Sequence, residues 1–352
     1  MDTIRKVLAG IFALLFVLTA LAALILFNLE RKAFAPQTYQ QAFANDNFYE
    51  RLPAIIAQTL ATPTQQQGLP IAMRGLTPQN WEKFIRALLP PDTLKELGDQ
   101  ALTSTFAYLN NETDRAALSL APLKERMASE AGVQAVVELM KAQPDCTLGD
   151  VARMTRTFLS GHELSLCNPP AEALGIITPM LQGQLQIAAA GIPDQVTLVS
   201  ANPAAGKNDP RQQLKVLRLI LRLTPILPLL MLFVLTVLAV RRLRDWLAWW
   251  GAPFFVTGIL ASVMAWLGAP LTSVILLRFL VSKAPAYLPP ALLDNGSQLA
   301  SAILDQLLKP VLVQGIVLMA IGAVMIALAI AAQRIRKKSL TLTRTGRKSW
   351  FS

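Results

Sequence analysis

The chain holds one histidine, His162, and two cysteines, Cys146 and Cys167. That inventory closes off much chemistry. A histidine-based zinc site, a histidine-assisted nucleophile or a haem pair needs further partners. His162-Glu163 has no second histidine with which to complete H-E-x-x-H. The nucleophile elbow G-x-S-x-G, the phosphate loop G-x-x-x-x-G-K-[ST] and the dinucleotide fingerprint G-x-G-x-x-G are all absent. Glu96 with Asp99, and Asp145 with Asp150, are acid pairs of the kind that can share proton transfer. On a polar surface such pairs arise by chance. The expectation is a protein that is not an enzyme, with no catalytic, cofactor-binding or metal-binding residues and no cofactor.

The cysteines support a structural reading. An even number in a segment outside the cytoplasm favours a disulfide. Cys146 to Cys167 would close a loop of about 20 residues, contributing roughly 3 kcal/mol. The spacing is far from C-x-x-C, which sets a redox role aside. His162 falls inside this loop.

The elements that carry these residues are dominated by lipid-compatible sequence. Hydrophobic residues make up 53% of the chain and charged residues 16%, against about 25% charged in a soluble protein. Four long apolar stretches cover 7–29, 224–240, 250–277 and 311–332. The first, at 1.5 Å per residue, reaches about 34 Å and spans a core of about 30 Å. It is longer than the apolar core of a signal peptide, which predicts an uncleaved anchor. Threading the chain through a bilayer puts Arg5, Lys6, Arg241, Arg242, Arg244 and seven basic residues after Gln333 on one side. That side carries 12 of the 33 Lys and Arg residues but only Asp2 and Asp245 among the acids. Positive residues in short loops stay cytoplasmic. The expected location is therefore the cytoplasmic membrane, multi-pass, with both termini cytoplasmic. The net charge of +11 belongs to membrane flanks, so nucleic acid is not expected as a partner.

Four segments follow: 1–29, an anchor with a short cytoplasmic start; 30–213, an extracytoplasmic helical domain; 214–332, three spans with an amphipathic stem and an outer loop; and 333–352, a basic tail able to adhere to anionic lipid. The expected fold class is mainly α, a four-helix transmembrane bundle plus a helical outer domain with one small β ribbon. Thr77-Pro78 caps a helix whose stripe is Trp81, Phe84, Ile85, Leu88 and Leu89. A second helix after Asp92 ends at Asn110-Asn111. Further helices are expected at 46–60, 122–141, 147–159 and 171–190. Ala117–Leu120 and Val196–Val199 read as the two strands of the ribbon.

Near the membrane, Arg218 and Arg222 share a helix face before an expected boundary at Thr224. They suit snorkelling to headgroups or contact with an anionic lipid. Trp246, Trp249 and Trp250 suit an interfacial belt. Ala261, Ala265 and Ala269 form one small-residue ridge, and Ala323, Ala327 and Ala331 another; such ridges let membrane helices approach closely. These predict packing of spans three and four on each other or on partner helices. Helix–helix hydrogen bonds are expected for Thr257 and Gln314. An outer loop is expected over about 278–310, broken at Tyr287-Leu288-Pro289-Pro290 and followed by an amphipathic helix through Leu299, Ile303, Leu304, Leu307 and Leu308, with Pro310 opening the last span.

Six motifs form a further set: Tyr49-Glu50-Arg51-Leu52-Pro53, Leu88-Leu89-Pro90-Pro91, Pro122-Leu123-Lys124, Pro144-Asp145-Cys146-Thr147, Cys167-Asn168-Pro169-Pro170 and Ile192-Pro193-Asp194. Together they resemble bacterial four-span membrane proteins with a large extracytoplasmic helical domain, a group that implies topology and brings no activity. The favoured function is a non-catalytic outer domain that binds a partner or senses an envelope signal. The partners are membrane lipid and another membrane or envelope protein. One alternative is the permease subunit of an ATP-driven exporter, since the order of spans is similar to the macrolide-exporter and lipoprotein-release type. Its weakness is an inner loop of about six residues, Arg241–Trp246. A membrane-embedded enzyme acting on envelope lipid or polymer would have to be built around Arg218, Arg222, Arg278 and Lys283, all basic.

Overall fold

A computed structural model describes residues 2–62, 76–147, 149–150, 167–201, 210–283 and 290–348. His162, most of the expected helix at 147–159 and most of 200–210, a stretch whose Ala, Asn, Pro and Gly content reads as a hinge, lie outside them. The fold is mainly α with one two-stranded antiparallel sheet. The chain divides into two compact units. One comprises Met1–Thr38, Gln212–Val274 and Ile303–Ser352; the other comprises Tyr39–Arg211 and Ile275–Ala302.

The second unit begins within α2 (Pro36–Asn45) and continues with α3 (Phe48–Leu60). The turn between them is made by Asn47 at φ 49°, a left-handed position that asparagine tolerates. No periodicity had marked α2. Helix α4 (Pro78–Leu88) starts as expected, with Thr77 Oγ1 accepting from the Asn80 amide at 3.3 Å. Helix α5 (Pro91–Leu109) ends in a Schellman motif. Asn111 sits at φ 61°, its N–H reaches Tyr108, and the Glu112 N–H reaches Ala107. The segment read as one helix over 122–141 is two, α6 (Ala121–Ala128) and α7 (Glu130–Lys141). Ser129 breaks it because its hydroxyl caps the Ala131 amide. Helix α8 covers Ala171–Gly191.

Strands β1 (Arg115–Ser119) and β2 (Gln195–Ser200) pair in register, with a bulge at Ala116/Ala117. The core of this unit is organised by α7. Leu139 packs with Ala57, Leu76, Trp81 and Ile85. Val133 and Met140 pack with Ile177 and Leu181 of α8 and with the two cysteines.

The first unit contains α1 (Asp2–Ala33), most of α9 (Pro210–Leu223), α10 (Ile226–Ala239) and parts of α11 (Leu243–Lys283) and α12 (Pro290–Lys348). Ile4–Ala33, Arg211–Ala239, Leu243–Gly268 and Asn295–Arg334 are long and apolar enough to cross a membrane. They fit an integral, multi-pass membrane protein. Helix α1 packs Phe16, Val17 and Ala20 on Leu232 and Leu235 of α10. Its Leu21, Leu24 and Ile25 pack against Ala261 and Ala265 of α11 and Val311 of α12.

Helices α11 and α12 meet through glycines. A Cβ built on Gly258 would lie 2.4 Å from the Met319 amide nitrogen, and one on Gly322 would lie 2.4 Å from that of Phe255. Backbones therefore touch where the two rows, Gly251/Gly258 and Gly315/Gly322, face each other. The expected packing of these spans is present, but the ridge Ala323, Ala327 and Ala331 is exposed. Glycine wins the interface because it permits the closest backbone approach. The outer loop is shorter than 278–310: α11 runs to Lys283, and the helix expected through Leu299–Leu308 is part of α12, which starts at Pro290. Pro310 lies within α12, and a proline inside a membrane helix is tolerated where neighbours satisfy the freed carbonyl.

Candidate functional site

Helix α9 carries its charge and its apolar surface in an unusual arrangement. Leu214, Arg218 and Leu221, one turn apart, form its less exposed side. Val216, Leu219, Ile220 and Leu223 are exposed. The exposed apolar surface continues into α10 through Ile226, Leu229, Leu230, Phe233 and Val237. The apolar exterior therefore begins before Thr224, within a helical stretch, Arg211–Ala239, that is long and apolar enough to cross a membrane.

Arg218 and Arg222 converge on Glu30. Glu30 Oε1 accepts from Arg218 Nε at 3.0 Å and from Arg222 Nε at 2.9 Å. The carboxylate is 2% exposed, whereas Arg218 and Arg222 are 21% and 59% exposed. Arg218 also stacks on Phe34, with its guanidinium carbon 4.7 Å from the ring centre. The anion that the structure gives these two arginines is thus a side chain of α1. A buried carboxylate beside apolar spans is costly unless it is paired, and the two guanidinium groups supply that pairing. Sequence reading had passed over Glu30, which lies 188 residues from Arg218.

On the same helix, Asn28 donates to Gln314 Oε1 at 2.7 Å, and Gln314 returns a longer bond of 3.4 Å. This is the helix–helix bond expected for Gln314. Thr257 differs. It is fully buried, and its hydroxyl finds no partner among the described residues. Two of the three tryptophans also turn inward, since Trp250 donates to Thr236 of α10 at 3.0 Å and Trp249 packs into the α1–α10 core.

At the other end of this unit, Arg5, Lys6, Arg241, Asp245 and Trp249 line a cavity of about 270 Å³. No pattern around any one of these residues had pointed to it.

In the second unit, Cys146 and Cys167 form a disulfide. Asp145 accepts from the Asn168 side chain at 2.7 Å beside it, and Asp150 caps the Thr147 amide at 3.1 Å. Asp99 accepts from Lys95 at 2.7 Å and from Tyr49 at 3.4 Å. Burial, helped by Asp99, pushes the Tyr49 hydroxyl up to about 12. Each acid of the two sequence pairs except Glu96 is thus engaged with a named neighbour. Glu96 lines a second cavity, of about 360 Å³, with Thr93, Glu125, Arg126 and Ser129. No group of three His, Cys, Asp or Glu able to hold a metal occurs among the described residues. Arg278 is exposed, and the Lys283 side chain lies outside the described set.

No family model, curated protein or solved structure matches this chain. The functional reading therefore rests on geometry.

Proposed function

We propose that this is a cytoplasmic-membrane protein whose second unit stands outside the cytoplasm and binds a protein partner without catalysis. The observation that carries this reading is neutral exposed surface on α8 and on β2. Between Ala173 and Ser200 the only ionisable side chain is Asp194, and Lys124 pairs with it. Ile176 and Ile187, three helical turns apart on one side of α8, are each 68% exposed. Every residue of β2 is exposed, including Val196, Leu198 and Val199. Uncharged apolar surface of this kind favours association, and an open strand can pair with a partner's strand.

The permease alternative draws less support. Helix α10 ends at Ala239 and α11 begins at Leu243, leaving a short connection on which an ATPase would have to dock.

The reading is tested by placing a photo-crosslinking amino acid at Ile176, Ile187 or the exposed Lys141 in intact membranes. A discrete protein adduct is expected from the first two positions and not from Lys141. Adducts to lipid alone, or equal adducts from all three, would reject the partner-binding surface.

A further inference from the structure

Two charged clusters lie towards the ends of α1. At one, Arg218 and Arg222 meet Glu30. At the other, Arg5, Lys6 and Arg241 line a cavity in which Asp245 is the acid among the described lining residues. Its carboxylate is also drawn towards Arg244 at 3.5 Å. The cavity is fixed in place: Arg5 donates to the Leu238 carbonyl, in the last turn of α10, at 2.6 Å. Trp249 supplies an apolar wall and an indole donor.

Its depth suits a headgroup. Arg5 and Glu30 are 25 positions apart on one helix, a rise of about 37 Å, against a hydrocarbon core of about 30 Å. Both clusters therefore fall in the headgroup layers. Beside the cavity the bundle turns exposed apolar side chains outward: Val7, Ile11 and Leu14 on α1 and Val237 on α10. A ligand that is anionic at one end and apolar along its length satisfies both surfaces, whereas a free anion uses only the cations.

We propose that this cavity is a binding site for the phosphate of an anionic phospholipid whose acyl chains lie along α1 and α10. Guanidinium and ammonium groups around a phosphodiester provide charge-assisted hydrogen bonds, and the Asp245 carboxylate opposes the phosphate's charge.

The test is native mass spectrometry of the full chain in neutral detergent, titrated with dioleoylphosphatidylglycerol, dioleoylphosphatidylcholine or inorganic phosphate. Phosphatidylglycerol should bind in preference to phosphatidylcholine. The double variant Lys6→Gln/Arg241→Gln should weaken phosphatidylglycerol by about thirtyfold, and Asp245→Asn should tighten it about fivefold. Arg5 is left intact because it also ties down α10. Equal binding of the two lipids would overturn the site, as would a folded double variant that binds like wild type. Loss of binding in Lys337→Gln/Lys338→Gln alone would overturn it by moving the contact to the tail. Displacement of the lipid by equimolar inorganic phosphate would reassign the cavity to a free anion and overturn the lipid assignment. Should the double variant fail to fold, Asp245→Asn decides: unchanged affinity rejects the proposal.

Discussion

Glu30 and Arg218, 188 positions apart, lie 3.0 Å apart from oxygen to nitrogen, and this pair fixes how α9 presents itself. With its arginine turned inward, α9 leaves its apolar side chains outside. The pair is a buried carboxylate answered by a partly buried guanidinium. Removing one partner of such a pair leaves the other uncompensated.

Glu30→Gln should therefore destabilise the protein by about 3–5 kcal/mol. Arg222→Gln should cost under about 1 kcal/mol, because that arginine is largely solvated. Thermal unfolding in detergent measures both. Equal melting of Glu30→Gln and wild type would show that the cluster does not stabilise the fold.

The glycine contacts between α11 and α12 make a contrasting pair. Gly258→Ala puts a methyl group 2.4 Å from the Met319 amide nitrogen, so the helices must separate, at about 1–3 kcal/mol. Gly183→Ala in α8 meets nothing within 4 Å and should gain up to about 1 kcal/mol from helix propensity. Chemical unfolding of the two variants should move in opposite directions.

Tyr49 gives a pH dependence. Its hydroxyl is raised from 10.0 to about 12 in the folded protein, first by burial and then by Asp99. A folded value above the unfolded one means that the contribution is complete below pH 10 and is lost between pH 10 and 12. Lys95, also raised, mainly by its hydrogen bond to Asp99, acts in the same direction. Unfolding midpoints of Tyr49→Phe across pH 8–12 should show a shallower alkaline decline than wild type. A decline of identical slope would remove Tyr49 as a cause.

The disulfide closes a separation of 21 positions and packs on Val133 and Met140. Cys146→Ser/Cys167→Ser should lose about 3 kcal/mol by the loop-closure account. Unchanged unfolding with and without reductant would refute that contribution.

Orientation is tested by thiol labelling of intact cells. Thr113→Cys should react with a membrane-impermeant reagent and Thr343→Cys should not. The reverse pattern would invert the proposed topology.

Much of this architecture was legible because it depends on local spacing. Four apolar runs read as spans through their length alone. Thr77-Pro78 and Asn110-Asn111 marked helix ends because capping is a contact within a few residues. The ribbon strands showed as short runs of β-branched and apolar residues between turn residues. The split at Ser129 was missed because apolar periodicity carries through it, while one hydroxyl decides the break.

By itself the sequence determined membrane residence, helical class, the ribbon and a cysteine spacing suited to a disulfide, since hydropathy, charge bias and caps act over short range. It could not determine the direction in which Arg218 and Arg222 point. A basic stripe on an amphipathic helix looks the same whether it faces headgroups or a carboxylate on another helix. Tertiary structure decided that by bringing Glu30 to them. It likewise chose the glycines over the outer alanine ridge at the α11–α12 contact and gathered Arg5, Lys6 and Arg241 around one cavity. Each outcome depends on which helix faces come within contact distance, a property of the packed bundle that no single segment carries.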